Sequence, residues 1–423
     1  MASASVSQPD SPPPKRVVVV GAGMVGLSTA WFLQEHGLDV TVVDRVGVGA
    51  GSSWGNAGWL SPGMAVPLPE PGVLRYSLTA LMDPKASLSV PPTVDLALWR
   101  FLARFAKRCT HAQWRRAMAG YLAVNREALY VFDELSRGGV TGTTTSAPIM
   151  ACFETREQSA HLRREVEHVV ASGQTLDVTE LSGESARNTA SQIGERVQLV
   201  IRINGQRYLD PGDFVTRLGE SVVARGATVR TGFSVRSLRH GATGVTLESF
   251  DGDAIRTDAV VLATGAWLNQ LARPFGIRLP VQAGRGYSFS VKTDEPAVVP
   301  IYLPTARVAC TPYQGGLRIG GTMEFRSADH PIIQARVDAL RGSAEPWLNG
   351  VQWRSISDIW VGPRPVSADG MPLIGATRSP KVFVAGGHGM WGITLGPVTG
   401  KLLAQQIISG RAPDALRAFD PLR

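Results

Sequence analysis

Five residues, RVVVV at Arg16–Val20, lead without a break into the glycine turn GAGMVG (21–26) and then into STAWFLQEHG. A short β-branched run, a glycine turn and apolar residues at helical spacing predict a buried strand, a tight turn and a helix. Gly37 is a natural stop for that helix, and DVTVVD (39–44) reads as a second strand. The result is a βαβ unit, which commits the chain to an α/β fold with a parallel sheet at its centre. Each glycine has its own physical reason. Gly21 allows the turn, Gly23 lets backbone approach a pyrophosphate, and Gly26 lets the helix pack on the strand. The helix start beyond them offers unpaired N–H groups and partial positive charge to phosphate. Asp44 closes the second strand, where a carboxylate accepts hydrogen bonds from a ribose diol and repels a 2′-phosphate. Together they predict a dinucleotide site and argue against NADP.

The next stretch of chain discriminates between dinucleotides. An NAD domain normally continues into regular βα units, whereas this chain enters GVGAGSSWGNAGWLSPG (47–63), a small-residue loop too long for a connector. Ser52, Ser53, Asn56, Ala57 and Gly58 can bring backbone N–H groups close to a planar ring. Later, DAVVLATGAW (258–267) is a strand ending in a small-residue turn, suited to a nucleotide. GHGMWGITLGP (387–397) puts a glycine-rich turn at a helix start, which can stabilise negative charge on a reduced flavin. The three pieces in this order favour FAD over NAD alone.

Between these pieces the pattern changes. Leu96, Trp99, Leu102 and Phe105 form an apolar helical stripe, with Arg100, Arg104, Lys107 and Arg108 on other faces. Further helices are expected over 120–137, 156–172 and 209–226, and antiparallel sheet over 281–322. At roughly 150 residues per domain, 423 residues predict two or three folding units. The economical division is a discontinuous Rossmann-like FAD-binding domain from 15–92, 195–270 and 352–423. An inserted α+β substrate domain on a mainly antiparallel sheet takes 93–194 and 271–351. Residues 1–14, rich in Ser and Pro, read as a disordered leader without the features of a signal peptide. Cys109, Cys152 and Cys310 are too few and too scattered for a disulfide framework or a zinc site, so no metal is expected. The net charge is 43 − 35 = +8, mostly dispersed arginine without a nucleic-acid-binding motif, so no nucleic-acid partner is expected. No apolar run is long enough to span a bilayer.

Several stretches, among them SSWGNAGWLSPG, LDPGDF, VLATGAW, RGYS, GPRPVSADGMPLIG and GGHGMWGITLGPVTGKLLAQQI, resemble the bacterial FAD-dependent D-amino acid dehydrogenases. Those enzymes sit within the wider D-amino acid oxidase, glycine oxidase and sarcosine oxidase superfamily, and the likeness runs from Arg16 to Ile408. The resemblance implies that Gly21, Ala22, Gly23, Met24, Val25, Gly26, Asp44 and Arg45 hold the ADP half of FAD. Ser52, Ser53, Asn56, Ala57, Gly58 and Leu60 would lie along the ribityl chain and flavin, and Val235 beside the adenine. Ala263, Thr264, Gly265 and Trp267 would form a second nucleotide contact. Gly389, Met390, Trp391, Gly392, Ile393 and Thr394 would face the flavin edge, with Gly362 in the same cofactor set. Arg364 matches the arginine that pairs with the substrate carboxylate in several relatives.

Guanidinium binds carboxylate bidentately, so an anchoring role for Arg364 also makes physical sense; the plainer alternative is that it ties down a turn. Tyr287 can bond a carboxylate or simply cap an apolar wall, and Tyr313 reads as structural. His388 can bond cofactor or substrate, or anchor backbone. Asp369 reads as a turn residue. The expected activity is FAD-dependent oxidative deamination of a D-amino acid, or oxidation of a secondary one such as D-proline, by hydride transfer from Cα to flavin N5. No cysteine falls in the terminal segments, so the flavin is expected to be non-covalent. An oxidase of glycine, sarcosine or proline type using O2, and a non-catalytic flavin-binding subunit, stand as alternatives. Quinone is a candidate acceptor. A cytoplasmic protein is expected, and the basic, apolar stretch at 96–116 offers contact with the inner face of the membrane.

Overall fold

The computed structural model describes residues 13–72, 88–91, 93–241 and 243–423, so all but the last two residues of the expected leader lie outside the described residues. Arg16–Val20 runs in the middle of a six-stranded sheet. The order across it is Thr228–Arg230, Asp39–Val43, Arg16–Val20, Ala259–Leu262, Val382–Gly386 and Leu373–Ala376. All neighbours are parallel except the last pair. Alternate side chains of the central strands enter different cores, as the two-residue period of a strand requires. Val17, Val19, Val40, Val42 and Val261 face a core built with the helices Met24–Glu35 and Gly392–Ser409. Val18, Val20, Val43, Val260 and Leu262 face the other way, toward Val245 and Leu247 of a small antiparallel sheet made of Val235–Gly241, Gly244–Ser249 and Ala254–Thr257. Both faces are covered, which is why these strands read as unbroken apolar runs. The helix Pro211–Ala224 begins where its signals predict: the Asp210 carboxylate accepts from the N–H groups of Gly212 and Asp213, and Pro211 occupies the first turn.

The second sheet is large and mainly antiparallel. Its order is Ser357–Ser367, Val281–Val291, Gly316–Phe325, Val308–Tyr313, Ile301–Leu303, Ile149–Phe153, Leu199–Ile203 and Val178–Ser182, with Leu88–Ser89 set beside Gly316–Phe325. Three stretches expected with the nucleotide unit, 88–89, 199–203 and 357–367, are thus strands of this sheet.

The helices around it depart from expectation in two places. The helix expected from residue 120 begins at His111, because the Thr110 hydroxyl caps it by accepting from Gln113 N–H at 3.3 Å. On Leu96–Arg108 the buried face is Leu98, Phe101 and Phe105, which shares with the expected stripe the residue Phe105 and leaves Leu96 and Trp99 outside it. Leu96 is 68% exposed and Trp99 47%. Phe101 and Phe105 pack on Phe325 of the large sheet, and that contact fixes the helix rotation.

Candidate active site

The turn at 21–26 is held by close backbone packing. A Cβ on Gly21 would stand 2.4 Å from the Ala263 carbonyl oxygen, and one on Gly26 1.9 Å from that of Gly21. A Cβ on Gly23 would meet only the Ser53 hydroxyl, at 3.2 Å, so this residue is the open one. The Asp44 carboxylate accepts from Ala22 N–H at 2.9 Å and from Val46 and Gly47 N–H at 2.8 and 3.0 Å. It therefore clamps the turn to the start of the long loop. That loop is pinned by the first helix and by the large sheet. Ser53 accepts from Met24 N–H, Ser52 donates to the Pro363 carbonyl at 2.5 Å, and Thr311 and Ser288 donate to the carbonyls of Ala57 and Gly55.

A cavity of about 380 Å³ opens over this turn. Of the residues expected at a cofactor, Gly21, Gly23, Met24, Val25, Asp44, Arg45, Ser52, Ser53, Asn56, Val235, Ala263, Thr264, Gly265, Trp267, Gly389, Gly392 and Ile393 line it. Arg45 lies over the Trp267 ring at 3.8 Å, and both reach Asp329. The other expected residues stand behind or beside the wall. Ala22 and Leu60 are wholly buried in the core, and Gly26 packs as described. Gly58 takes a φ of +76° against the Leu209 carbonyl oxygen, and Thr394 donates to the Trp59 carbonyl. Gly362 is covered by the Trp360 ring, and Ala57, Met390 and Trp391 face a second cavity.

That second cavity, about 480 Å³, is mostly apolar and aromatic, with Trp59, Leu102, Phe105, Tyr302, Met323 and Trp360 among its lining. Arg364 lines both cavities. It comes from the strand Ser357–Ser367, donates one hydrogen bond from Nη1 to the Thr322 carbonyl at 2.7 Å, and its remaining donors are geometrically available. Burial pulls its guanidinium down to about 10, and among the described residues no carboxylate acts on it from nearby. The arrangement is a cation at the junction of two cavities with a fork suited to an anion.

The structure does not bring the other two expected catalytic groups to this junction in the same way. Tyr287 contributes to the second cavity, but its hydroxyl donates to the buried Glu324 carboxylate at 3.1 Å. Burial first and Glu324 second hold that phenol above its usual range. His388 borders the first cavity, 2% exposed, with Nε2 bonded to the Thr399 hydroxyl at 2.9 Å; burial pushes it down to about 4. A neutral, fixed imidazole there anchors the turn at the start of the last helix. Tyr313 stacks under Arg318 at 4.2 Å and lines neither cavity. Asp369 accepts from Met371 N–H in a turn and pairs with Arg423.

The sequence profile of the FAD-dependent oxidoreductases, the DAO family, matches residues 16–406. The chain belongs to this family. A D-amino acid dehydrogenase of Xanthobacter autotrophicus is 31% identical over 406 residues, covering 94% of this chain and 96% of the relative. One from Methylobacterium radiotolerans is 31% identical over 407 residues, with the same coverage. Among solved structures, glycine oxidase from Geobacillus kaustophilus matches with a TM-score of 0.74 at 21% identity, over 97% of this chain and 99% of that one. L-proline dehydrogenase from P. horikoshii matches with a TM-score of 0.71 at 16% identity, over 98% of each. These structures share the fold: a parallel Rossmann-like sheet beside a mainly antiparallel one.

The first cavity of this FAD-dependent oxidoreductase fits the family's cofactor. Gly265 and Gly389 both have φ of +55° and nothing within 4 Å of where a Cβ would be, so the wall is open backbone at two further turns besides Gly23. None of the three cysteines lines it; Cys109, Cys152 and Cys310 are all buried elsewhere, with burial pushing each thiol up. Sequence reasoning missed Phe233, Phe250 and Gln270 in the first cavity and almost all of the second. Phe233 and Phe250 lie in connecting turns and Gln270 on the short helix Leu268–Ala272, and nothing local marks which cavity such residues will border.

Proposed function

We propose that this flavoprotein oxidises the carbon–nitrogen bond of a D-amino acid, or of a cyclic secondary amino acid such as D-proline, to the imino acid. Water then releases a 2-oxo acid and ammonia from a primary imine. The observation that carries the reading is the position of Arg364, an anion-seeking cation shared by a dinucleotide cavity and an apolar one. Relatives named D-amino acid dehydrogenase, at 31% identity over nearly the whole chain, support the stereochemical class.

In this reading FAD, held without a covalent bond, supplies the hydride acceptor, and the protein supplies binding and orientation. Gly21, Gly23, Asp44 and the helix start at Met24 would hold its phosphates and ribose. Gly265, Gly389 and the start of Gly392–Ser409 would border the rest. Arg364 receives the substrate carboxylate in a fork and so directs the opposite end of the molecule. Trp59, Tyr302, Met323 and Trp360 keep bulk water from the side chain. The amine needs no protein base if it enters neutral, so catalysis is expected to improve as pH approaches the substrate amine's own range.

The deciding experiment is anaerobic. Each of a panel of D- and L-amino acids, sarcosine and proline is mixed with the purified flavoprotein, and loss of the oxidised flavin absorbance is followed. Bleaching by D-amino acids or by proline is expected; no bleaching by any amine rejects the reading. Arg364→Ala should keep bound FAD and raise KM by about 10- to 100-fold. Unchanged kinetics would remove Arg364 from the substrate site.

For the electron acceptor we favour a membrane quinone. Val94, Leu96 and Trp99 are exposed beside Arg100, Arg104, Lys107 and Arg108, a combination suited to an anionic bilayer surface. No helix among the described residues is long and apolar enough to cross a membrane.

A further inference from the structure

Three strands of the large sheet meet at one irregular place. Between Gly316–Phe325 and Val281–Val291 the register pairs Arg285 with Glu324 but Tyr287 with Gly321. Gly286 therefore stands opposite two residues, Thr322 and Met323, which is a β-bulge. Thr322 has a φ of +59°, a left-handed conformation that a β-branched residue rarely adopts. On the other side of the same strand the ladder with Ser357–Ser367 runs unbroken here, Gly284 with Arg364 and Gly286 with Gly362.

The Arg364 guanidinium folds back over Gly286. A Cβ on Gly286 would lie 2.1 Å from Nη2, 2.2 Å from Cζ and 2.3 Å from Nη1, so the guanidinium occupies the space a side chain would need. Nη1 donates to the Thr322 carbonyl at 2.7 Å. The Thr322 hydroxyl is buried and makes no hydrogen bond among the described residues, so the strained turn delivers its carbonyl and not its side chain. A regular ladder would give that carbonyl to the neighbouring strand; the bulge turns it to the arginine.

We propose that the bulge at Thr322 and the bare backbone at Gly286 form a seat that fixes the plane of the Arg364 fork before substrate arrives, making both positioning residues for the substrate carboxylate. The proposal rests on the reading of Arg364 as the carboxylate anchor. Its physical content is preorganisation: a guanidinium held at one nitrogen and pressed flat on a glycine loses little further freedom when a carboxylate binds.

The test compares the best D-amino acid of the panel with its carboxamide, which has the same side chain and no carboxylate. In each variant the preference for acid over amide is read as a ratio of kcat/KM, with FAD content measured alongside. Arg364→Ala is run first, and an unchanged preference there refutes the anchor reading itself, whatever Gly286 does. Given a collapsed preference in Arg364→Ala, Gly286→Ala is expected to lose about 10- to 100-fold of it while retaining FAD. The pair Gly286→Ala with Arg364→Ala should be no worse than Arg364→Ala alone. Thr322→Gly, which holds a positive φ freely and keeps the carbonyl, should preserve the preference within about twofold. A normal preference in FAD-loaded Gly286→Ala, full additivity in the pair, or a lost preference in Thr322→Gly overturns the proposal. If Gly286→Ala does not accumulate, the pair decides. Folding restored by Arg364→Ala supports the seat, and failure of both means that the sheet, not the arginine, requires the glycine.

Discussion

A buried imidazole without a charged partner pays for its place whenever the solution turns acidic, and His388 is in that position. Burial puts it down to about 4 in the folded protein, against 6.5 in the unfolded chain. Between those values the unfolded state binds the extra proton, so stability falls as pH drops from about 6.5 to about 4 and is unaffected by this group at neutral pH. The shift corresponds to a loss on the order of 3 kcal/mol. Denaturant unfolding at pH 7 and pH 5 should show a smaller difference for His388→Gln than for the parent; an equal difference would mean that His388 does not titrate this way. Single residues were legible to unequal degrees. Arg364 could be chosen because GPRP resembles the segment that carries the carboxylate-pairing arginine of relatives, and a guanidinium fork suits that role. Tyr287 could not be settled, because its hydroxyl reaches Glu324, 37 positions away in sequence, and only the sheet register creates that contact.

Among elements, the glycine turn separates two jobs that the sequence pattern runs together. Gly26 is closed by the Gly21 carbonyl, whereas Gly23 faces the cavity. Gly26→Ala must push the first helix off its strand and should lower stability by about 1–3 kcal/mol or more, seen as a lower denaturant midpoint. Gly23→Ala should fold with near-parental stability and lose FAD more readily in ultrafiltration; equal FAD retention would deny Gly23 its place at the cofactor. The βαβ unit and the strand before the 263–265 turn were readable because strands buried on both faces are continuously apolar. The strand Ser357–Ser367 was not, since WVGPRPVS carries two prolines that argue against a strand. The structure resolves the conflict: it is the last strand of the large sheet, laddered with Val281–Val291, and its other side meets the turn at His388 through a single bridge at Val366 instead of a neighbouring strand. The Pro363 and Pro365 carbonyls point to that side, toward Ser52 and Gly389, so the missing N–H groups beside them cost no ladder bond. The bulge at Thr322 left no trace in the sequence at all.

For the molecule as a whole, the pieces of the parallel sheet are scattered while the second cavity is drawn from eight separate stretches, and that is why the cofactor half was the more legible. Its motifs are local; the apolar wall is assembled only by packing. The exposed Val94, Leu96 and Trp99 belong to the same scale, because their use depends on what the whole protein docks against. Co-sedimentation with vesicles rich in anionic lipid should retain the parent protein at low salt and release it as salt rises. Trp99→Ser with Leu96→Ser should abolish retention without changing FAD content, and no retention of the parent at low salt would reject the bilayer reading. One consequence of the sheet order concerns how the protein is made. Arg16–Val20 needs Ala259–Leu262 along one edge, about 240 residues later. At roughly 5–20 residues per second a ribosome delivers that partner only after about 12–50 s. Through that interval a strand with four consecutive valines has one edge unpaired, so soluble yield should be governed by what shields it during translation and not by the stability of the finished protein.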